Sequence, residues 1–290
     1  MSSLRRDPSE TAALLAEALP YIRRFAGSVL VVKYGGNALA GSDEATALAS
    51  FAEDIVLLHS VGIHPVVVHG GGPQIGEMLA KLGKEAEFID GQRVTDAETL
   101  EVVRMVLIGK VNSEIVSALN VHGPLAVGIS GADANLIESG ALDEDLGFVG
   151  GVSGVNPSII ERLIAEDLVP VIATVGTDAA GQSYNINADT VAGAIAAALG
   201  AEKLVFLTDI AGLRANPEDP ESLLARVTAG QIDEMVASGA AAGGMIPKAE
   251  ACANAVRGGV GAAHILDGRV PHALLVELFT DGGVGTMVES

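Results

Sequence analysis

Val66-Val67-Val68-His69-Gly70-Gly71-Gly72-Pro73-Gln74-Ile75 decides how this chain is read. A β-branched run stops at three glycines, and an amphipathic stretch follows. That order reads as a buried strand, a turn and a helix. Glycines let the backbone approach a ligand closely and turn its N–H groups inward. The N-terminus of the next helix adds partial positive charge at the same place. The segment therefore predicts a cradle for an anion. A second cradle stands upstream at Val29-Leu30-Val31-Val32-Lys33-Tyr34-Gly35-Gly36-Asn37, where a lysine precedes two glycines. Two such strand ends in one parallel sheet point at a common crevice.

Working outward, the spacing predicts strands at 28–33, 65–69, 125–130, 169–173, 203–207 and 262–266. Helices are predicted at 44–61, 73–82, 96–121, 156–166, 189–200, 228–239 and 247–258. A hairpin is expected within 84–94, antiparallel strands within 133–155, strand ends and loops over 174–188, and a closing hairpin near 275–288. Alternating strands and helices predict an α/β fold with a mostly parallel sheet covered on both faces, a three-layer αβα sandwich. In 9–26, Leu15, Leu19, Ile22 and Phe25 fall on one side of a helix, and Pro20 within it predicts a kink. This helix either caps the first strand or docks on another subunit.

The chain has 290 residues, 49% of them apolar but only 3% aromatic and none Trp, so the core must be built from Ala, Val, Ile and Leu. A formal charge of −20 argues against nucleic acid and anionic membranes as partners, because both need a basic face. An anionic substrate must then be met by a few local cations. A single cysteine, Cys252, leaves no internal disulfide and fits a reducing cytosol. There is no long apolar run of membrane-spanning length and no signal-type segment, so a cytoplasmic location is expected.

The common nucleotide signatures fail. A dinucleotide fingerprint from Gly70 needs glycine where Ile75 stands, and neither Gly83-Lys84-Glu85 nor Gly109-Lys110-Val111 completes a Walker loop. The candidates that remain are cations and their organisers. Lys33 ends an apolar strand beside two glycines, where it can set fixed charge against a phosphoryl group. Lys248 follows Gly243-Gly244-Met245-Ile246-Pro247 in a first helical turn, unfavourable for a cation unless an anion binds there. Asp189, in Asn185-Ile186-Asn187-Ala188-Asp189, either caps a helix or orients the lysines. Arg93, in Gly91-Gln92-Arg93-Val94-Thr95, suits a carboxylate, with Thr95 as the expected cap of the next helix. The six histidines show no metal spacing.

Taken together, Val32-Lys33-Tyr34-Gly35-Gly36-Asn37-Ala38, His69-Gly70-Gly71-Gly72-Pro73-Gln74, Gly91-Gln92-Arg93-Val94-Thr95, Asn185-Ile186-Asn187-Ala188-Asp189 and Gly244-Met245-Ile246-Pro247-Lys248 resemble the amino-acid kinase family. Within it the Gly-Gln-Arg-Val-Thr segment is similar to the acetylglutamate kinases. The resemblance covers about residues 28–288. It implies phosphorylation of the γ-carboxylate of N-acetyl-L-glutamate by ATP, the second step of arginine biosynthesis, with Mg2+ carried by the nucleotide. It implies that Lys33 and Lys248 stabilise the transferring phosphoryl group and that Asp189 organises them. Gly36 and Gly71 would donate N–H groups to phosphoryl oxygens, Gly71 and Gly72 would contact the acetylated amino acid, and Arg93 and Asn185 would hold its α-carboxylate. Gly35, Gly36, Thr208, Asp209, Gly212 and Lys248 would bind the nucleotide. A γ-carboxylate titrates near about 4.3 and is already ionised, so no general base is needed.

Two further features resemble the arginine-sensitive branch: the helix with Pro20 and Tyr21, and His264 followed by Glu277-Leu278-Phe279-Thr280-Asp281-Gly282-Gly283. By this resemblance Tyr21, Lys203, His264, Glu277 and Gly283 line a site for inhibitory L-arginine. The helix interlaces dimers into a hexamer, a trimer of dimers, and the nitrogen-signalling protein PII is a candidate partner. The implied division is an oligomerisation helix in 1–27, an amino-acid lobe in 28–180 and an ATP lobe in 181–290. Two other readings stay open: a sibling kinase for another carboxylate or carbamate, and a non-catalytic arginine sensor on the same fold.

Overall fold

The computed structural model describes residues 7–35, 44–216, 219–238, 245–280 and 283–290. In chain order the elements are α1 (Pro8–Phe25), β1 (Val29–Tyr34), α2 (Glu44–Ser60), β2 (His64–His69), α3 (Gly72–Lys81), β3 (Phe88–Ile89), β4 (Gln92–Arg93) and α4 (Ala97–Arg104). A π-helical turn, Met105–Val111, joins α4 to α5 (Asn112–Asn120), and β5 (Ala126–Ser130), β6 (Ile137–Ala141), β7 (Val149–Val155), α6 (Ser158–Ala165) and β8 (Val169–Ala173) follow. The rest is β9 (Val175–Thr177), β10 (Ser183–Ile186), α7 (Ala188–Ala198), β11 (Lys203–Thr208), β12 (Arg226–Thr228), α8 (Ala229–Ala237), α9 (Met245–Arg257), β13 (Ala262–Asp267), α10 (Ala273–Phe279) and β14 (Thr286–Glu289).

One eight-stranded sheet, ordered β12-β14-β13-β11-β1-β2-β8-β5, runs through the molecule. The six strands from β13 to β5 are mutually parallel, and β14 turns antiparallel against β13. The strands of the two halves of the chain meet where β1 pairs with β11. Strands of a parallel sheet covered on both faces read as unbroken apolar runs, and Leu30, Val31, Val32, Val66, Val67 and Val68 are all fully buried. Their side chains alternate between two cores. Val31, Val66 and Val68 pack with α6, α7, α8 and α9. Leu30, Val32 and Val67 pack with α2, α3, the α4–α5 run and α10. The expected three-layer α/β sandwich is therefore the fold.

Two local expectations are corrected. The segment 174–188 is more than strand ends and loops: it forms β9 and β10, joined by a turn, which close a four-stranded barrel with β6 and β7. The end of the chain is not a hairpin: α10 buries Leu274 and Leu278, an i, i+4 pair, and only β14 is a strand. Helix α1 runs through Pro20, and only part of its apolar face is used. Phe25 is buried, whereas Leu15 and Leu19 are 66% and 51% exposed.

Candidate active site

Lys33 ends β1 at the middle of the sheet, and Asp189 opens α7, which packs against β1. Lys33 Nζ lies 2.8 Å from Asp189 Oδ1, and Lys248 Nζ lies 2.7 Å from Asp189 Oδ2. One buried carboxylate thus spans two ammonium groups. It is free to do so because Asn187, not Asp189, caps α7: Asn187 Oδ1 accepts from the backbone N–H groups of Asp189 and Thr190 at 2.8 and 3.3 Å. Burial pushes Lys33 below the ordinary lysine range, with Lys248 pressing the same way and Asp189 opposing. Burial alone drives the Asp189 carboxyl up, but the two ammonium groups together bring it below the ordinary range. The cluster carries excess positive charge in a poorly hydrated place, which favours an anion (P-type oxygens above all) over water.

The glycine turns complete the floor. A Cβ on Gly35 would stand 3.1 Å from both Lys33 Nζ and the Leu207 carbonyl, so a side chain there would crowd the ammonium. A Cβ on Gly71 would meet Leu107 at 2.7 Å, so glycine lets this turn rest on the π-helical segment. Gly71 caps α3 and Gly72 opens it. Gly36, assigned to phosphoryl contact from the sequence, lies outside the described residues.

Arg93 reaches the cleft from the β3–β4 hairpin. Its Nη2 donates to the Gly72 carbonyl at 2.9 Å, and its guanidinium stacks on Phe88 at 4.7 Å. Its Nη1 is buried and has no hydrogen-bond partner. Thr95 does not cap α4. Asp96 does, accepting from the Thr99 N–H at 2.8 Å. The Thr95 hydroxyl instead donates to the Arg93 carbonyl and accepts from Asn185 Nδ2, at 2.8 and 3.2 Å. It ties the Asn185 side chain to the backbone of Arg93.

Lys33, Gly35, Gly70, Gly71, Gly72, Arg93, Asn185, Asp189, Thr208, Asp209 and Lys248 line one cleft of about 290 Å³. Gly212 is not among them. Its backbone packs on Thr286, where a Cβ would come within 2.5 Å of the hydroxyl. Thr174 and Leu107 also line the cleft, and no sequence signal marked either. Nor did any single out His69 and Asn112, buried beneath the Gly70 turn and hydrogen-bonded to each other. Among the described residues, no three His, Cys, Asp or Glu side chains are arranged to hold a metal ion.

A second cavity, of about 670 Å³, is lined by Tyr21, Lys203, His264, Glu277 and Gly283 together. Lys203 Nζ donates to His264 Nε2 at 2.7 Å, and His264 Nδ1 donates to Glu277 Oε1 at 2.7 Å. The Val284 N–H donates to Glu277 Oε2 at 2.9 Å. Lysine can only donate, which makes this histidine neutral. Burial accordingly lowers both His264 and Lys203 from their ordinary values.

The family model described as the amino acid kinase family matches residues 28–267, and the chain belongs to that family. Among curated relatives, the acetylglutamate kinase of Moorella thermoacetica is 51% identical over 97% of this chain and 98% of its own length. That of Symbiobacterium thermophilum is 54% identical over 96% and 97%. Among solved structures, N-acetylglutamate synthase from Neisseria gonorrhoeae, complexed with coenzyme A and N-acetyl-glutamate, is 28% identical and superposes with a TM-score of 0.83. The alignment covers 96% of this chain and spans only 63% of the synthase chain. The same synthase complexed with coenzyme A and L-arginine gives a TM-score of 0.78 at 28% identity, over 96% of this chain and 65% of the synthase. No helix among the described residues is long and apolar enough to cross a membrane.

Proposed function

We propose that the chain transfers a phosphoryl group from ATP to the γ-carboxylate of N-acetyl-L-glutamate, giving the acyl phosphate. One observation carries this reading. A single cleft holds a two-lysine, one-carboxylate cluster at one end and a guanidinium nitrogen without a partner at the other. An elongated dianion satisfies both ends. Arg93 and Asn185 hold the α-carboxylate, and the Gly71 and Gly72 backbone contacts the acetylated amino acid. Lys33 and Lys248 place fixed charge on the phosphoryl group as it transfers, and Asp189 holds them in place. Two anions must be brought in line, and fixed cations with N–H donors do that without a base. The relatives named acetylglutamate kinase, at about half identity over nearly their whole length, support the same substrate.

For the nucleotide, Gly35, Thr208, Asp209 and Lys248 are the described residues at the second-half side of the cleft. Asp189 is committed to the lysines, which leaves Asp209 as the other carboxylate there. That set fits a magnesium ion that enters with ATP and neutralises its phosphates. In this reading 28–180 is the amino-acid lobe and 181–290 the ATP lobe.

L-arginine is the proposed inhibitor at the second cavity, with Glu277 meeting its guanidinium. The charge-balanced lining and the arginine-complexed synthase of similar fold support this. The exposed Leu15 and Leu19 of α1 support its role as a docking arm in a hexamer. The deciding experiment traps the acyl phosphate as its hydroxamate from Mg-ATP with N-acetyl-L-glutamate or with plain glutamate, each with and without arginine. Product from the acetylated substrate alone, suppressed by arginine, is expected. Product from neither returns the function to a sibling kinase or to a sensor.

A further inference from the structure

His69 is fully buried at the end of β2, directly before the glycine turn. Its Nδ1 lies 2.9 Å from the Gly70 carbonyl, and its Nε2 lies 3.0 Å from Asn112 Nδ2. Asn112 Nδ2 also lies 2.9 Å from the Val171 carbonyl. An amide nitrogen carries two hydrogens and no acceptor. Asn112 Nδ2 also lies 3.5 Å from the Ile129 carbonyl, and its two shortest contacts are Val171 and His69. Having no lone pair, it can only donate to Nε2, so Nε2 is the acceptor and Nδ1 carries the proton. The ring is therefore a donor to Gly70 and to nothing else. Burial drives its pKa down to about 4, so it stays neutral at physiological pH.

The peptide joining Gly70 to Gly71 is a single planar unit with its C=O and N–H pointing in opposite directions. His69 Nδ1 holds the Gly70 carbonyl at 2.9 Å, so the ring fixes the rotation of this peptide. The Gly71 N–H points away from that carbonyl, and Ala188, next to Asp189 on α7, lies beside Gly70, 3.3 Å from where a Cβ would stand. From the far side, Leu107 and Val111 of the π-helical turn press on the α-carbon of Gly71. Turns of this kind inside α-helices often mark functional sites, and this one ends at Asn112.

We propose that His69 is a positioning residue of the phosphoryl-transfer cleft: its Nδ1–H anchors the Gly70 carbonyl and so aims the Gly71 N–H at the phosphoryl oxygens. Asn112 enforces the tautomer that makes this possible. The proposal deepens the kinase reading above and rests on it.

Two replacements separate aim from bulk. Asn places its amide nitrogen where Nδ1 was, and Gln places it where Nε2 was. His69→Asn keeps the donor to Gly70 but leaves a larger void, so it should be the less stable variant. His69→Gln fills more space and loses that donor. Steady-state kcat and thermal midpoint are measured for both, beside the wild type. His69→Asn should keep kcat within about tenfold, while His69→Gln should lose about 100-fold or more, the scale of one oxyanion donor. Activity would then run opposite to stability. Activity that follows the thermal midpoints, or falls equally in both variants, overturns the proposal.

A second measurement needs no variant to be active. Nitrogen-15 NMR of histidine-labelled wild type, with the His69 signal assigned by its loss in a variant, should show the Nδ1–H tautomer. An Nε2–H tautomer overturns the proposal outright. Wild type inactive on N-acetyl-L-glutamate sinks the kinase reading, and the phosphoryl role of His69 with it. Active wild type with indifferent variants sinks only the role of His69.

Discussion

Two sites in this molecule are built from the same materials and arrive at different charge balances. In the cleft, Asp189 lies between Lys33 and Lys248. In the second cavity, a neutral His264 lies between Lys203 and Glu277. Among the described lining residues the cleft sets Lys33, Arg93 and Lys248 against Asp189 and Asp209. The cavity sets Arg24, Lys203 and Arg226 against Glu202, Glu277 and Glu289. The first arrangement carries surplus positive charge and suits an anion. The second is balanced and suits a zwitterion with an extra cation, whose own charges are met one by one. Surplus charge near a reacting group changes a barrier. Balanced charge away from it changes only an affinity.

Removing charge from the cleft should break the comparison most visibly. Lys33→Ala is expected to lower kcat by about 1,000-fold, and Asp189→Asn by about 100-fold, with the fold retained by circular dichroism. A loss of less than tenfold would mean that the cluster is structural.

Arg93→Ala sharpens the distinction inside the cleft. It should raise KM for N-acetyl-L-glutamate by about 100-fold with a smaller change in kcat, and Arg93→Lys should not rescue it, because a point charge cannot replace the planar fork. An unchanged KM would remove the carboxylate from that end.

In the second cavity, Glu277→Gln should raise the arginine concentration for half inhibition by about tenfold or more, the scale of a hydrogen bond to a charged group. Undiminished inhibition would place arginine elsewhere.

The pH response is weaker and tests the surplus directly. Burial holds Lys33 below its ordinary value of 10.5. Its charge is therefore lost sooner as pH rises, so the alkaline limb of kcat/KM should begin at lower pH than the titration of a free lysine would give. A flat profile through that range would mean that Lys33 keeps its proton. The smallest effect expected is on KM against ionic strength. The net charge of −20 repels an anionic substrate, and moderate salt should lower KM by roughly twofold by screening that field.

The six parallel strands of the main sheet were legible because a strand buried on both faces leaves an apolar run that needs no partner to be recognised, whereas the short edge strand β12 was not. The short strands of the barrel were not. Three to five residues show too little periodicity, and their pairing is set by chain far away, as with Asn185 against Val149 and Val175. At the end of the chain, Leu274 and Leu278 fit either period, and only the packing of α10 beneath the sheet decided for helix. In the site, the residue types were legible and the assignments of neighbouring polar groups were not. Thr95 and Asp189 both looked like caps, and Asp96 and Asn187 took those roles.

The amino-acid sequence by itself determined the chemistry available: which cations exist and which glycine turns end which buried strands. Tertiary structure decided who meets whom. Lys33, Asp189 and Lys248 come from three distant stretches, brought together by the placement of β1, α7 and α9. In the proposed role, His69 becomes a donor of fixed direction only because the Asn112 amide nitrogen, on α5, can do nothing but donate to its other ring nitrogen. A side chain's charge is local to its residue, but its partner, its burial and therefore its protonation depend on what the fold places within a few ångströms.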